Sequence, residues 1–476
     1  MTLFSSETRI FWLFAVMQGV LWTLVPTLVF QNLPMDVIEG LAWGHAWPIG
    51  TYKHPPLQAW LLESTATLTG HTDMGIYALS ALCLVITYWA VWQLGKMVLA
   101  PASALIGTMA LVSCFYFSTT IPEFNPNVVQ MPLYALCGLF FWRAYWDNRW
   151  YDWLVLGICA GLGLWGKYSF ILMLLSIGLF IVSDPYVRRI RHNFGAWLAL
   201  TVAAVIFLPH AIWLLSYDWL PLAYARSRTL SAESIWQALW WALLFMLNQL
   251  LVISPVVLVT WLARQPFYQI CPARRYLTFL AWGPFVLMTV LALALEDRPR
   301  DMWGMAMWPF IGLWCATLWN SGWERWAQRV CMLAMLVMPL CIIGGSLWGV
   351  QNGYSPWRTS FQGRALAQAA DALWQKHHPD VPLTVVLGDN WLGGNISWYG
   401  RDRPFVMPDG DVKKSAWITP EMIKAHGALA VWNMKSYGEN VPEWALRHGV
   451  ALVTQTIRIP YGTEMMSIGL AVITPK

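Results

Sequence analysis

Asp36 and Glu39 stand three residues apart in the stretch 34–69, PMDVIEGLAWGHAWPIGTYKHPPLQAWLLESTATLT. On a helix that spacing puts both carboxylates on one face. A carboxylate so placed can act as a general base toward a hydroxyl. It can also bind a metal ion or a sugar hydroxyl, or simply complement the positive end of a helix opened by Pro34. A turn follows, Tyr52-Lys53-His54-Pro55-Pro56-Leu57. Its two prolines fix an extended backbone and present Lys53 and His54 at the lip. A cation there suits a phosphate, although a solvated turn would use the same residues.

Three more segments gather polar groups. Thr119–Asn127 holds Glu123 and Asn125 among two prolines and two asparagines, a rigid hydrogen-bonding turn of a kind that suits sugar hydroxyls. Gly163-Leu164-Trp165-Gly166-Lys167-Tyr168-Ser169 places Lys167 between two apolar runs, where it either binds a phosphate or snorkels to the membrane surface. Glu296-Asp297-Arg298-Pro299-Arg300-Asp301 offers Arg298 and Arg300 to a phosphate, or forms a charged loop with Asp301. A long segment at 217–235 carries Tyr224, Arg226 and Arg228 and reads as a gate. Asp36, Glu39 and Glu123 could share a divalent metal ion, but no His/Cys cluster demands one. No Walker-type sequence is present.

The elements that must position these groups are membrane helices. Of the 476 residues, 58% are hydrophobic and only 12% charged, about half the charged share of a soluble domain. A net charge of +5, scattered along the chain, excludes a nucleic-acid surface. With about 20 apolar residues needed per crossing, eleven spans are expected, near 9–31, 76–99, 102–120, 127–146, 150–166, 168–183, 195–216, 236–262, 276–295, 303–320 and 328–350. The 34 tryptophans suit interfacial belts. Residues 36–46 and 56–68 have amphipathic spacing and should form short interfacial helices in the first outer loop. The eight cysteines form no C-x-x-C pair and read as small apolar filler.

Alternate loops differ in charge. Twelve Lys/Arg fall on one side (Arg9, Lys96, Arg143, Arg149, Arg188, Arg189, Arg191, Arg264, Arg274, Arg275, Arg325, Arg329) and six on the other. The richer side should be cytoplasmic, putting the N-terminus inside and the C-terminus outside. Ten acids then fall outside against five inside, which directs the search for chemistry to the outer face. Residues 1–351 should form the transmembrane domain. Residues 352–476 hold 22 of the 55 charged residues and read as a small extracytoplasmic α/β domain. Its helix is expected at 363–377, and its strands at 382–387, 428–432 and 450–454.

The acidic pair after the first span, followed by Y-K-H-P-P-L-x-A-W-L, resembles glycosyltransferase family 39 and its bacterial relatives within the C-type superfamily of integral-membrane glycosyltransferases. The resemblance covers roughly residues 1–320 and is strongest at 34–62. It implies an inverting transfer of sugar from a polyprenyl-phosphate (undecaprenyl-phosphate) donor to an acceptor hydroxyl on the periplasmic face of a bacterial inner membrane. Asp36 matches the family's catalytic acid, with Glu39 displaced from the usual adjacent position. Lys53 or His54 matches a basic residue that contacts donor phosphate, and Glu123 stands where relatives often carry an acid. Lys167 sits in a G-L-x-x-K-Y pattern common in the family. The partners so implied are the lipid-linked donor, membrane lipid and a glycan, lipid or protein acceptor. A transporter or flippase would instead carry charges within its spans, and a non-catalytic scaffold would leave the polar outer loops idle.

Overall fold

The computed structural model describes residues 6–184, 193–262, 273–318 and 358–474, with isolated positions between 333 and 349. The chain forms two compact units. One comprises Met1–Val25, Lys53–Leu57 and Tyr77–Ile342. The other comprises Pro26–Tyr52, Gln58–Ile76 and Ile343–Lys476, so most of the first outer loop belongs with the C-terminal residues.

The helical unit is built from α1 (Ser6–Val29, which begins in it), α4 (Asp73–Val98, which ends in it), α5 (Pro101–Ala110), α6 (Pro126–Asp147), α7 (Trp150–Gly166), α8 (Ile171–Ser183), α9 (Phe194–Ser216), α10 (Leu220–Arg228), α11 (Ile235–Leu262), α12 (Arg274–Ala294) and α13 (Ile311–Ala316). Two further helices, α2 (Met35–Gly44) and α3 (Leu57–Leu68), form the first outer loop. Among the described residues, five helices are long and apolar enough to cross a membrane: α1, α4, α9, α12 and residues Ile235–Leu258 of α11. The protein is a multi-pass membrane protein.

Two expected spans are corrected. Residues 102–120 do not form one helix: α5 stops at Ala110 and two 3₁₀ turns, Leu111–Ser113 and Phe115–Phe117, follow. Residues 303–320 divide into a 3₁₀ segment, Asp301–Met307, and the six-residue α13. The two broken segments approach each other closely. A Cβ on Gly312 would collide with the carbonyl oxygen of Gly107, and one on Gly107 would fall 2.8 Å from the carbonyl oxygen of Gly312. Irregular backbone at membrane depth is tolerated where protein covers it, and Leu111–Ser113, Gly304–Met307 and Ile311–Leu313 are all buried. The expected span 328–350, the loop residues Arg188, Arg189, Arg191, Arg264, Arg325 and Arg329, and the 351/352 boundary lie outside the described residues, apart from isolated positions in that span.

In the second unit, α14 (Gly363–His377) forms where its Ala, Leu and Trp spacing predicts. A five-stranded sheet has the order β2-β1-β3-β5-β4, with β1 Val385–Gly388, β2 Phe405–Pro408, β3 Ala428–Asn433, β4 Val450–Tyr461 and β5 Glu464–Thr474. The pairs β1–β2 and β1–β3 are parallel, and β5 runs antiparallel to both β3 and β4. Val385, Leu387, Met407, Ala430, Trp432, Ala471 and Ile473 form its core. A further helix, α15 (Leu392–Tyr399), follows β1. Residues Val37–Gly44 of α2 are buried. Gly394 of α15 admits Ile38, because a Cβ there would fall 2.6 Å from the Ile38 side chain. The first-loop helix is therefore enclosed by protein, where an interfacial position was expected.

Candidate functional site

The two units each carry part of the predicted site. In the helical unit Lys53, His54 and Lys167 come together although 113 residues separate His54 from Lys167. Lys167 stands where α7 ends. Its backbone is extended, at φ −167° and ψ 141°, and a short 3₁₀ turn leads from it into α8. Its Nζ donates to Asn127 Oδ1 at 2.7 Å, and its carbonyl accepts from Gln130 Nε2 at 3.0 Å. Both partners lie in the first turns of α6.

Asn125 caps that helix. Its Oδ1 accepts from the N–H groups of Asn127 at 2.9 Å and Val128 at 3.2 Å. Pro126 occupies the first helical position, where a missing N–H costs nothing. The ammonium of Lys167 thus sits at the N-terminal end of a 22-residue helix, whose dipole adds positive potential. Glu123 is half-buried in the turn just before.

His54 is half-buried by surface area. Its pKa is pushed down to about 3, first by desolvation and then by the charges of Lys167 and Lys53. It is a neutral imidazole at physiological pH, available as a hydrogen-bonding group and not as a cation. The Lys53 ammonium lies 5.4 Å from the ring centroid of Tyr224 on α10, within cation–π range. Lys53, Lys167 and the start of α6 make a site fit for an anion with several oxygens.

Arg298 and Arg300 occupy the segment between α12 and the 3₁₀ segment that Asp301 opens. Arg298 and Arg300 are exposed. Arg300 Nη2 donates to the Arg228 carbonyl at 3.2 Å, and Arg298 N donates to the Leu230 carbonyl at 3.0 Å. Asn248 Nδ2 donates to the Asp301 carboxylate at 3.1 Å, and the Asp301 carbonyl accepts from Tyr116 Oη at 2.7 Å and Gln249 Nε2 at 2.9 Å. Tyr224 and Arg228 share a face of α10 four residues apart. That helix therefore links Lys53 to the Arg300 segment. The sequence marked 217–235 only as a gate; the contact with Arg300 uses the backbone carbonyl of Arg228, which residue type does not reveal.

In the other unit, Asp36 lies half-buried in the first turn of α2, and its carbonyl accepts from Gln58 Nε2 at 2.9 Å. Glu39 is buried, with 5% exposure. Asn390, in the loop after β1, donates to Glu39 Oε1 and to Tyr52 Oη, the latter at 2.8 Å. Sequence reasoning gave Asn390 no role, because a lone strand-end Asn carries no signal until the fold brings it to Glu39. Among the described residues no group of three or more His, Cys, Asp or Glu side chains is placed to hold a metal ion.

Comparison with known proteins agrees with this architecture. Residues 53–213 match the family described as dolichyl-phosphate-mannose-protein mannosyltransferase. The lipopolysaccharide core galacturonosyltransferase RgtA of Rhizobium johnstonii is 24% identical over 414 residues, covering 80% of this chain and 78% of that protein. Among solved structures, ArnT from Cupriavidus metallidurans, crystallised with undecaprenyl phosphate, superposes with a TM-score of 0.64 at 12% identity over 98% of both chains. The oligosaccharyltransferase of Archaeoglobus fulgidus gives 0.53 at 13% identity, over 90% of this chain and 68% of that one. At such identities the structural likeness speaks for the fold. With the sequence matches, it supports a likeness to the C-type superfamily of integral-membrane glycosyltransferases, with a family 39-like segment at 53–213. The protein is a membrane glycosyltransferase.

Proposed function

We propose that the protein is an inverting transferase that moves a sugar from undecaprenyl phosphate to an acceptor hydroxyl on the periplasmic face of a bacterial inner membrane. The observation that carries this reading is the convergence of Lys53 and Lys167 on His54 at the capped N-terminus of α6, inside the segment that matches the family. Lys53 and Lys167 take the donor phosphate, aided by the α6 dipole and by Arg298 and Arg300. Asp36 removes the proton of the acceptor hydroxyl. The hydroxyl oxygen bonds to the anomeric carbon from the face opposite the phosphate, the anomeric C–O(phosphate) bond breaks, and its electron pair leaves on undecaprenyl phosphate. Glu39 supports Asp36 from the next turn of α2. Glu123 orients sugar or acceptor, with Asn125 beside it through its amide N–H groups.

The similarity to RgtA supports lipopolysaccharide core as the acceptor and galacturonate as the first sugar to try. The ArnT complex supports undecaprenyl phosphate as the carrier. In this reading the chain crosses the membrane several times, the N-terminus is cytoplasmic, and a domain beginning near residue 352 is periplasmic. The loop charge bias is what supports that orientation.

The test is turnover by the purified full chain supplied with undecaprenyl-phosphate galacturonate, other undecaprenyl-phosphate sugars and lipopolysaccharide core. Release of undecaprenyl phosphate, with an inverted anomeric configuration in the product, is the expected result. A protein that neither binds nor turns over any such donor overturns the reading.

A further inference from the structure

We infer that Asn390 is a positioning residue for Glu39, so that the C-terminal unit completes the acidic part of the site. The inference rests on the proposed function and extends it to a residue outside the matched family segment.

Topology marks the place. The strands β2-β1-β3 are parallel with β1 in the middle. The chain leaves β1 through α15 toward β2 on one side, and β3 lies on the other. In open α/β sheets the crevice outside the carboxyl ends of such strands is where ligands and functional groups gather. Asn390 stands two residues beyond β1. Asp409 follows β2 and accepts from Lys414 Nζ at 2.7 Å and from Tyr437 Oη, beyond β3, at 3.4 Å. The Lys414 ammonium in turn lies 5.8 Å from the ring centroid of Tyr52.

The geometry then assigns the role. An amide has two N–H donors, and Asn390 directs one to Glu39 Oε1 and one to Tyr52 Oη. Asn390 and Glu39 are both buried, at 7% and 5% exposure. A buried carboxylate stays ionised only when donors replace its lost water. Asn390 supplies such a donor and fixes the rotamer of Glu39, one helical turn from Asp36 on α2. The buried Asn390 Oδ1 has no protein partner, so the amide is held through its donors and its orientation follows from Glu39 and Tyr52.

The test compares Asn390→Ala and Asn390→Asp with wild type, in undecaprenyl-phosphate galacturonate turnover across pH. Ionisable groups around the position are Asp36 and Glu39 on α2, Tyr52, Arg358, Asp389, Asp409, Lys414 and Tyr437. Asn390→Ala should lower kcat on the order of 10²-fold, the scale of a misplaced catalytic constellation, with the donor KM unchanged. Asn390→Asp is nearly isosteric and so probes function where Asn390→Ala fails to fold. Two carboxyl groups at one site cannot both ionise readily. The new carboxyl, protonated at low pH, donates to Glu39 as the amide did. Activity of Asn390→Asp should therefore recover as pH falls and vanish as it rises. Wild-type kcat in Asn390→Ala, or an Asn390→Asp profile parallel to wild type, overturns the inference. Loss of all turnover in the wild-type protein overturns the underlying function instead, and this inference with it.

Discussion

Lys167 Nζ donates to Asn127 Oδ1 at 2.7 Å, joining the end of α7 to the first turn of α6. The pair fixes a cation at a helix N-terminus, where the macrodipole already favours an anion. A hydrogen bond to a charged group contributes about 1.5–3 kcal/mol. Lys167→Met should therefore weaken binding of undecaprenyl phosphate roughly 10- to 100-fold, and Asn127→Ala, which only releases the lysine, should weaken it less. Titration of the lipid into each purified variant decides this; equal affinity of Lys167→Met and wild type would remove Lys167 from the phosphate site.

Tyr224 covers the Lys53 ammonium from α10. A cation–π contact is worth about 0.5–1 kcal/mol at an exposed site, so Tyr224→Ala should raise the donor KM about two- to fivefold while Tyr224→Phe leaves it unchanged. A Tyr224→Phe variant as impaired as Tyr224→Ala would place the effect in the hydroxyl and not in the ring.

His54 is held neutral down to about pH 3 by desolvation and by Lys167 and Lys53. The pH profile of kcat/KM reports the groups of the free enzyme. It should show no inflection near 6.5 that His54→Gln abolishes, and the two profiles should run parallel from pH 5.5 to 8. An inflection near 6.5 lost in His54→Gln would show that the imidazole titrates and serves as an acid or base.

Glu63 lies in the C-terminal unit between Arg403 and His45. Arg403 pairs with it in a fork, Nη1 to Oε1 and Nη2 to Oε2, both at 2.9 Å, and His45 Nδ1 stands 3.6 Å from Oε1. Burial acts to raise the carboxyl pKa, but His45 and then Arg403 outweigh it and draw it down to about 2. Because the folded pKa is below the unfolded one, the unfolded chain binds the proton first. The stabilisation is present above about pH 4.5 and is lost as pH falls toward 2. Wild type should thus lose melting temperature through that window in detergent. Glu63→Gln should start lower and change less; equal slopes for the two proteins would contradict this assignment.

How much of this was legible in the sequence varied with the physics involved. Long apolar runs reveal α1, α4, α9, α11 and α12, because membrane burial selects composition directly. Residues 102–120 and 303–320 also read as apolar runs, yet each is divided, and the Gly107–Gly312 approach between them is a tertiary fact that composition does not carry. The strand β2, four residues long, and β5, with Gly469 inside it, lacked a usable period. At the site, residue type and the flanking prolines exposed Lys53, and a G-L-x-x-K-Y pattern exposed Lys167. The approach of Lys167 to His54, the Asn127 partner and the Asn390–Glu39 bond required the fold, as each joins residues far apart in sequence.

The central claim is that Asp36 is the base of a sugar transfer from undecaprenyl phosphate. The most direct measurement is donor binding and turnover by the purified full chain, wild type beside Asp36→Asn. The account predicts that both bind undecaprenyl-phosphate galacturonate with similar affinity and that turnover of the variant falls on the order of 10²–10⁴-fold, the contribution of one positioned base. An Asp36→Asn protein that turns over as fast as wild type would contradict it.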